Sequence, residues 1–265
     1  MMIFLLEECN FSCNHCVRED EPMPPGYKLS LEQLRLCLSD CHKLETIDWI
    51  HFSGGEPTLW IDKKLDLADL LIEISKAGFE PGFTTNGSYF NDYKKCNELL
   101  QKYFNNSNKR LRLYLSIDTF HQNFNFQRGR AKSLDNVIKY KMNLPSEKKK
   151  LLGITVLSII SKDSSSLLPN EMIEHYKSLD VKFIFPPLKA VGKAKSFSYL
   201  CPNLGSGKRE ELGAYYHFYN EKKKQSVTTN LVLIGNNYYL PDPWRQVGRL
   251  GYLSSNIFES FKTNY

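Results

Sequence analysis

Short apolar runs and helix-patterned stretches alternate along this chain at intervals of about thirty residues, and that rhythm restricts the fold more than any other feature. A strand, a helix and a further strand in that order form a crossover unit. Repeated crossovers build a parallel sheet with helices packed against it. The runs at 2–6, 47–52, 81–84, 111–117, 153–160 and 181–185 read as the strands. Helices are predicted over 31–44, 65–77, 93–104, 134–142 and 170–179, the first opened by Ser30 as N-cap with Gln33 three residues on. Six strands with intervening helices predict an α/β fold, an open, partial (β/α)6 barrel over residues 1–190. Ligands of such sheets gather at the carboxyl ends of the strands.

After Phe185 the pattern changes. Pro186-Pro187 breaks the chain, and 188–204 is rich in Gly, Ser and Lys, as a linker or lid is. Residues 191–265 are predicted as a small α+β extension, with a helix over 210–223, a strand pair around Asn236-Asn237 and a last helix near Ile257.

No run approaches the ~20 apolar residues of a membrane span. The apolar start, Met1 to Leu6, meets Glu7 and Glu8 too soon for a signal peptide. A cytoplasmic, reducing location is therefore expected, in which the seven cysteines serve as metal ligands or buried thiols. The net charge of +6 comes from dispersed lysines, which favour solvated helix ends over a nucleic-acid-binding stripe.

Each chemistry-bearing motif falls just past a strand end. Cys9-Asn10-Phe11-Ser12-Cys13-Asn14-His15-Cys16 follows the first run. Three thiols within one loop cannot all pair as disulfides, and a tetrahedral zinc site would need a fourth ligand from elsewhere. The spacing suits a cubane iron–sulfur cluster held at three irons, with the fourth left open to a ligand that is not protein. Gly54-Gly55-Glu56-Pro57 ends the second run, where paired glycines admit close backbone approach and a carboxylate can accept from a cationic amine. Thr84-Thr85-Asn86-Gly87 ends the third. Ser116 and Asp118 end the fourth, either as a pair suited to ribose hydroxyls or as an Asx turn closing the strand. Cys37 and Cys41 share one helix face and, like Cys96, read as buried thiols.

In order and spacing these motifs resemble the radical SAM superfamily. The resemblance implies that Cys9, Cys13 and Cys16 hold one [4Fe–4S] cluster, whose open iron takes the amino and carboxylate groups of S-adenosylmethionine. It further implies that Gly54, Gly55, Glu56 and Pro57 hold the methionine amino group, Glu56 by its carboxylate. His15 would lie near the adenine, Ser116 and Asp118 at the nucleoside, and Thr85 and Asn86 in the same site. Arg128 or Arg130 would meet the cofactor carboxylate, and Val156 with Leu157 would form an adenine wall or plain core. An external one-electron reductant of flavodoxin or ferredoxin type would drive cleavage of S-adenosylmethionine to a 5'-deoxyadenosyl radical, which abstracts hydrogen from the substrate.

The tail resembles the SPASM/twitch extension of peptide-modifying members, through Leu231 to Gly235, Tyr238 to Pro241, Arg249-Leu250-Gly251-Tyr252 and Ile257 to Ser260. The cysteine that this extension would carry near Leu240 is missing, and no cysteine follows Cys201. A degenerate tail without a second cluster is the expectation, leaving Cys201 as a relic, a packed thiol or a hydrogen-atom donor. The resemblance favours a peptide substrate, changed by cross-linking, epimerisation or oxidation. A small metabolite such as a nucleotide, sugar or aminoglycoside is the alternative. A non-enzymatic iron–sulfur or zinc protein is a third reading, one that leaves the Gly-Gly-Glu-Pro and Ser-x-Asp motifs without a purpose.

Overall fold

The computed structural model describes residues 1–16, 25–43, 47–118, 129–159 and 170–186, the single positions 161, 188, 193 and 196, and three C-terminal strands by their backbone. In chain order the strands are β1 (Met2–Leu6), β2 (Trp49–Gly54), β3 (Ile61–Asp62), β4 (Leu65–Asp66), β5 (Glu80–Thr85), β6 (Leu111–Ser116), β7 (Leu152–Leu157) and β8 (Val181–Ile184). They are followed by β9 (Val232–Ile234), β10 (Asn237–Pro241) and β11 (Val247–Tyr252). The helices are α1 (Leu31–His42), α2 (Leu67–Lys76), α3 (Tyr93–Asn106), α4 (Gly129–Asn143), α5 (Ser146–Lys149) and α6 (Asn170–Ser178).

One sheet runs β11-β10-β9-β1-β2-β5-β6-β7-β8. From β1 to β8 every neighbouring pair is parallel, which is the six-stranded crossover sheet of a partial barrel. The C-terminal strands continue it past β1: β9 lies parallel to β1, and β10 and β11 follow antiparallel. A strand pair was expected there, and the third strand carries Arg249 to Tyr252. The helices expected over 210–223 and near Ile257, like the linker at 188–204, lie outside the described residues apart from the single positions named above.

Local chemistry sets the helix starts. Ser30 accepts from the Gln33 N–H at 3.1 Å while the Gln33 side chain accepts from the Ser30 N–H at 2.8 Å, closing the expected capping box. Asp66 and Asp69 repeat the device at α2. The apolar face of α2, including Leu67, Leu70, Leu71 and Ile74, is buried in the core, each such side chain contributing roughly 1.5–3 kcal/mol.

Strand parity decides which side chains meet the helices. Ile3, Leu5, Ile50, Phe52, Phe83, Leu113, Ile154 and Val156 join α1 to α4 and α6 in one core. The opposite face carries a smaller cluster of Tyr114, Leu157 and Ile184, with Trp49 against it. Val156 is fully buried on the helix side, within the main core. Its neighbour Leu157 turns to the other face because side chains alternate along a strand.

Candidate functional site

Three strand exits meet at the carboxyl end of the sheet. Past β1, the backbone of Leu6 and Glu8 accepts the N–H groups of Gly55, at 2.7 Å, and Glu56, at 2.8 Å. The second glycine is required by space: a Cβ on Gly55 would stand 1.8 Å from the Glu8 carbonyl oxygen. Gly54 has φ +113, a backbone state that side chains resist. The turn is thereby strapped onto the root of the cysteine loop, one residue before Cys9.

Glu56 is fully buried, and its carboxylate faces inward. Oε1 accepts from the Thr58 N–H at 3.1 Å, the Thr58 hydroxyl at 2.7 Å and the Thr85 hydroxyl at 2.7 Å. Oε2 accepts from the Asn86 N–H at 2.7 Å. Burial pushes the Glu56 carboxyl above the usual carboxylate range, and these four donors oppose that shift. Within the protein this carboxylate clamps the β2 and β5 exits together. Trp60, three residues beyond Pro57, locks the far side of the turn by donating its Nε1–H to the Leu29 carbonyl at 2.7 Å.

The β5 exit completes the junction. Thr85 is buried, its hydroxyl accepting from the Gly87 N–H at 3.0 Å while donating to Glu56. The Asn86 amide is oriented by the Ser88 N–H, which donates to its Oδ1 at 2.9 Å. Its Nδ2 therefore points across to the cysteine loop, reaching Asn10 Oδ1 at 2.8 Å and Cys9 Sγ at 3.9 Å. Asn10 in turn donates to the Ser88 hydroxyl at 2.9 Å. The loop has a second anchor: the Lys193 N–H donates to the Cys16 carbonyl at 3.0 Å, and its ammonium to the Ser12 hydroxyl at 2.9 Å.

Cys9, Cys13 and Cys16 are all partly exposed on this loop, with His15 buried between the last two. Among the described residues no three His, Cys, Asp or Glu side chains converge on a point that one metal ion would fill. A cubane spreads its ligands wider than one ion does. The donor chemistry fits such a cluster, since Cys9 Sγ accepts from the Phe11 N–H at 3.4 Å as well as from Asn86, as an iron-bound thiolate would. Ser116 is half-buried at the β6 exit, one strand beyond Thr85, and Asp118 is buried just past it. Arg128 and Cys201 lie outside the described residues, and Arg130 falls in the first turn of α4.

Asn10, Thr58, Ser88 and Lys193 belong to the junction without having been singled out in the sequence. Asn10 and Ser88 carried a weak signal as turn residues beside known motifs, whereas Lys193 is separated from Ser12 by 181 positions and carried none. A cleft of about 470 Å³, lined by Ser88, Tyr89, Asp92, Lys95, Lys132 and Asn136, flanks the junction through Ser88 and holds none of the expected site residues.

Residues 3–150 match the radical SAM superfamily. The chain belongs to the radical SAM superfamily. Membership implies a [4Fe–4S] cluster and S-adenosylmethionine as cofactors. Among curated proteins, the chain is 27% identical over 198 residues to YydG of Bacillus subtilis strain 168, named as a peptide biosynthesis protein, covering 73% of this chain and 56% of YydG. It is 25% identical over 271 residues to the PqqA peptide cyclase of Rhodopseudomonas palustris, covering 99% of this chain and 65% of the cyclase. The chain thus spans between about half and two thirds of the length of these relatives. The solved structure of anSMEcpe with bound AdoMet is similar in fold, with a TM-score of 0.61 at 16% identity over 99% of this chain and 80% of that one. Among the described residues no helix is long and apolar enough to cross a membrane.

Proposed function

We propose that this chain is a radical SAM enzyme that modifies a peptide. The observation that carries the reading is the junction itself: the cysteine loop, the Gly54–Pro57 turn and the Thr85–Gly87 turn are bonded into one unit at the carboxyl end of a partial barrel, where ligands of this fold gather. When bound, the cluster and S-adenosylmethionine supply one-electron cleavage to a 5'-deoxyadenosyl radical that takes hydrogen from the substrate. The chain's own residues hold and enclose. Cys9, Cys13 and Cys16 are the cluster ligands in this reading, and Gly54 and Gly55 let the backbone come close to the cofactor. Glu56 shapes that turn from behind. In this reading Ser116 and Asp118, one strand along, meet the nucleoside, and an external carrier of flavodoxin or ferredoxin type provides the electron.

The peptide substrate is supported by the relatives named for peptide biosynthesis and peptide cyclisation. Residues 1–190 form the catalytic core in this proposal. Residues 191–265 form a cluster-free extension, consistent with a tail that has no cysteine after Cys201. The test is anaerobic reconstitution followed by chemical iron determination and incubation with S-adenosylmethionine, a reductant and short peptides encoded beside the gene. Uptake of about four iron per chain, 5'-deoxyadenosine formation and a mass change in one peptide are expected. Turnover of a nucleotide or sugar with every peptide left unchanged would replace the peptide reading.

A further inference from the structure

We propose that Asn86 is a positioning residue for the Cys9 thiolate, its side-chain amide raising the reduction potential of the cluster that Cys9 would hold. The inference rests on the reading of Cys9 as a cluster ligand. An Asn side chain offers two N–H donors and one carbonyl acceptor, and all three have places here. The carbonyl accepts from the Ser88 N–H at 2.9 Å, which settles which way the amide faces. One amine hydrogen serves Asn10 Oδ1 at 2.8 Å, leaving the other for Cys9 Sγ at 3.9 Å. The residue is buried, so water competes weakly for either donor.

The base of this arm is fixed independently of its tip. The Asn86 backbone N–H donates to the buried Glu56 carboxylate at 2.7 Å, and that carboxylate is held by Thr58 and Thr85. The donor reaching Cys9 is therefore mounted on two strand exits and cannot swing away at little cost. A hydrogen bond to a cluster sulfur stabilises the reduced, more negative state, and such bonds are among the levers that set cluster potentials. Asn86 is thus given a part distinct from contact with S-adenosylmethionine.

Asn86→Asp tests this on anaerobically reconstituted protein. The substitution keeps the acceptor for the Ser88 N–H and nearly the same shape, removes both side-chain donors and adds a negative charge that by itself lowers the potential. The neutral Asn86→Ser is therefore titrated beside it and must show a fall too. Iron content should match the wild type. At a fixed solution potential, the ratio of reduced to oxidised cluster, read by EPR during a redox titration, should fall about three- to tenfold, a tenfold fall being about 59 mV for one electron. Asn10→Ala is the control for loop anchoring, because it removes Asn86's other partner and leaves Cys9 in place. Its ratio should stay within about twofold of wild type on the same scale. If Asn86→Asp loads iron poorly, Asn86→Ser carries the comparison alone, since its short side chain cannot reach Cys9. An unchanged potential in either Asn86 variant, or an equal shift in Asn10→Ala, would overturn the inference while leaving the cluster reading intact. Wild-type protein that takes up no iron would bring down that reading and this inference with it.

Discussion

At the carboxyl ends of the strands Glu56 is wholly buried with four donors around its carboxylate; toward the amino ends His51, on β2, is also buried, with one ring nitrogen 2.8 Å from the Thr84 hydroxyl. Among the described residues the second ring nitrogen of His51 has no hydrogen-bond partner. Burial lowers the His51 pKa to about 3, and the neighbouring charges of the amino terminus and Arg112 add to it. Desolvation penalises the charged form at both places. At the upper end the penalty is opposed by donors drawn from two turns, at Thr58 and at Thr85–Asn86, while the Glu56 N–H and the Asn86 side chain carry the connection on to the cysteine loop. At the lower end it is avoided by keeping the ring neutral among aromatic neighbours, Trp49 and Tyr114. The polar groups of the upper end position loops. Those of the lower end link neighbouring strands, His51 to Thr84 and Arg112 to Glu80.

The largest predicted effect strikes the upper end. Gly55→Ala places a methyl against backbone at Glu8, which cannot rotate aside as a side chain could. Stability should fall by more than about 4 kcal/mol, in the range reserved for severe strain or overpacking, and iron uptake should be lost with it. Denaturant unfolding and iron determination on the same preparation would show this. A well-folded, iron-loaded Gly55→Ala protein would mean that the β1 and β2 exits are not held as described.

Glu56 comes next. Truncation to Ala strands the N–H groups of Thr58 and Asn86 in a dry site, at roughly 2–4 kcal/mol for the pair. Glu56→Gln keeps one acceptor oxygen but sets its NH2 against one of the donors, and should cost about half as much. Because Asn86 links Glu56 to the cysteine loop, Glu56→Ala should weaken iron retention as well as S-adenosylmethionine binding. Full iron retention would separate the clamp from the loop and return Glu56 to a local role.

Long elements with clear periodicity were legible from sequence to within a few residues, as the Ser30 cap and β5, β6 and α3 show. Two-residue β3 and β4 were not, since a strand that short has no period to read. The motifs of the site were legible as types and as places past strand ends. Their orientation was not. In β7 the apolar residues Ile154, Val156 and Leu157 occupy both faces, so composition alone could not say which of Val156 and Leu157 meets the helices. For Glu56 the deciding partners, Thr85 and Asn86, lie about thirty positions away and are brought near only by the crossover.

The lower end makes a prediction about pH. The folded pKa of His51 lies below its ordinary value near 6.5, so the fold favours the neutral ring. The stability this group contributes is fully present above about pH 6.5 and drains away as pH falls toward 3, by a few kcal/mol at most. Urea unfolding at pH 7.5 and pH 5 should show a clear loss in the wild type and a smaller one in His51→Gln. Equal losses in both proteins would assign the acid sensitivity to other groups.

The smallest effect separates the lower end's own parts. Arg112 donates from Nε at 2.9 Å and Nη2 at 2.6 Å to Glu80 Oε2, and its guanidinium lies 5.0 Å from the Trp49 ring centroid. Both charged side chains are about one-third exposed, so solvent screens the pair, and Arg112→Met should cost only about 0.5–1.5 kcal/mol at neutral pH. The same guanidinium lowers the His51 pKa, and its removal lets that pKa rise toward the ordinary value. The protonated ring is then less unfavourable in the folded state, so acid costs the variant less than it costs the wild type. The stability gap between the two should therefore narrow from pH 7.5 to pH 4.5. A gap that stays constant over that range would show that Arg112 and His51 do not feel one another, and that burial alone keeps the ring neutral.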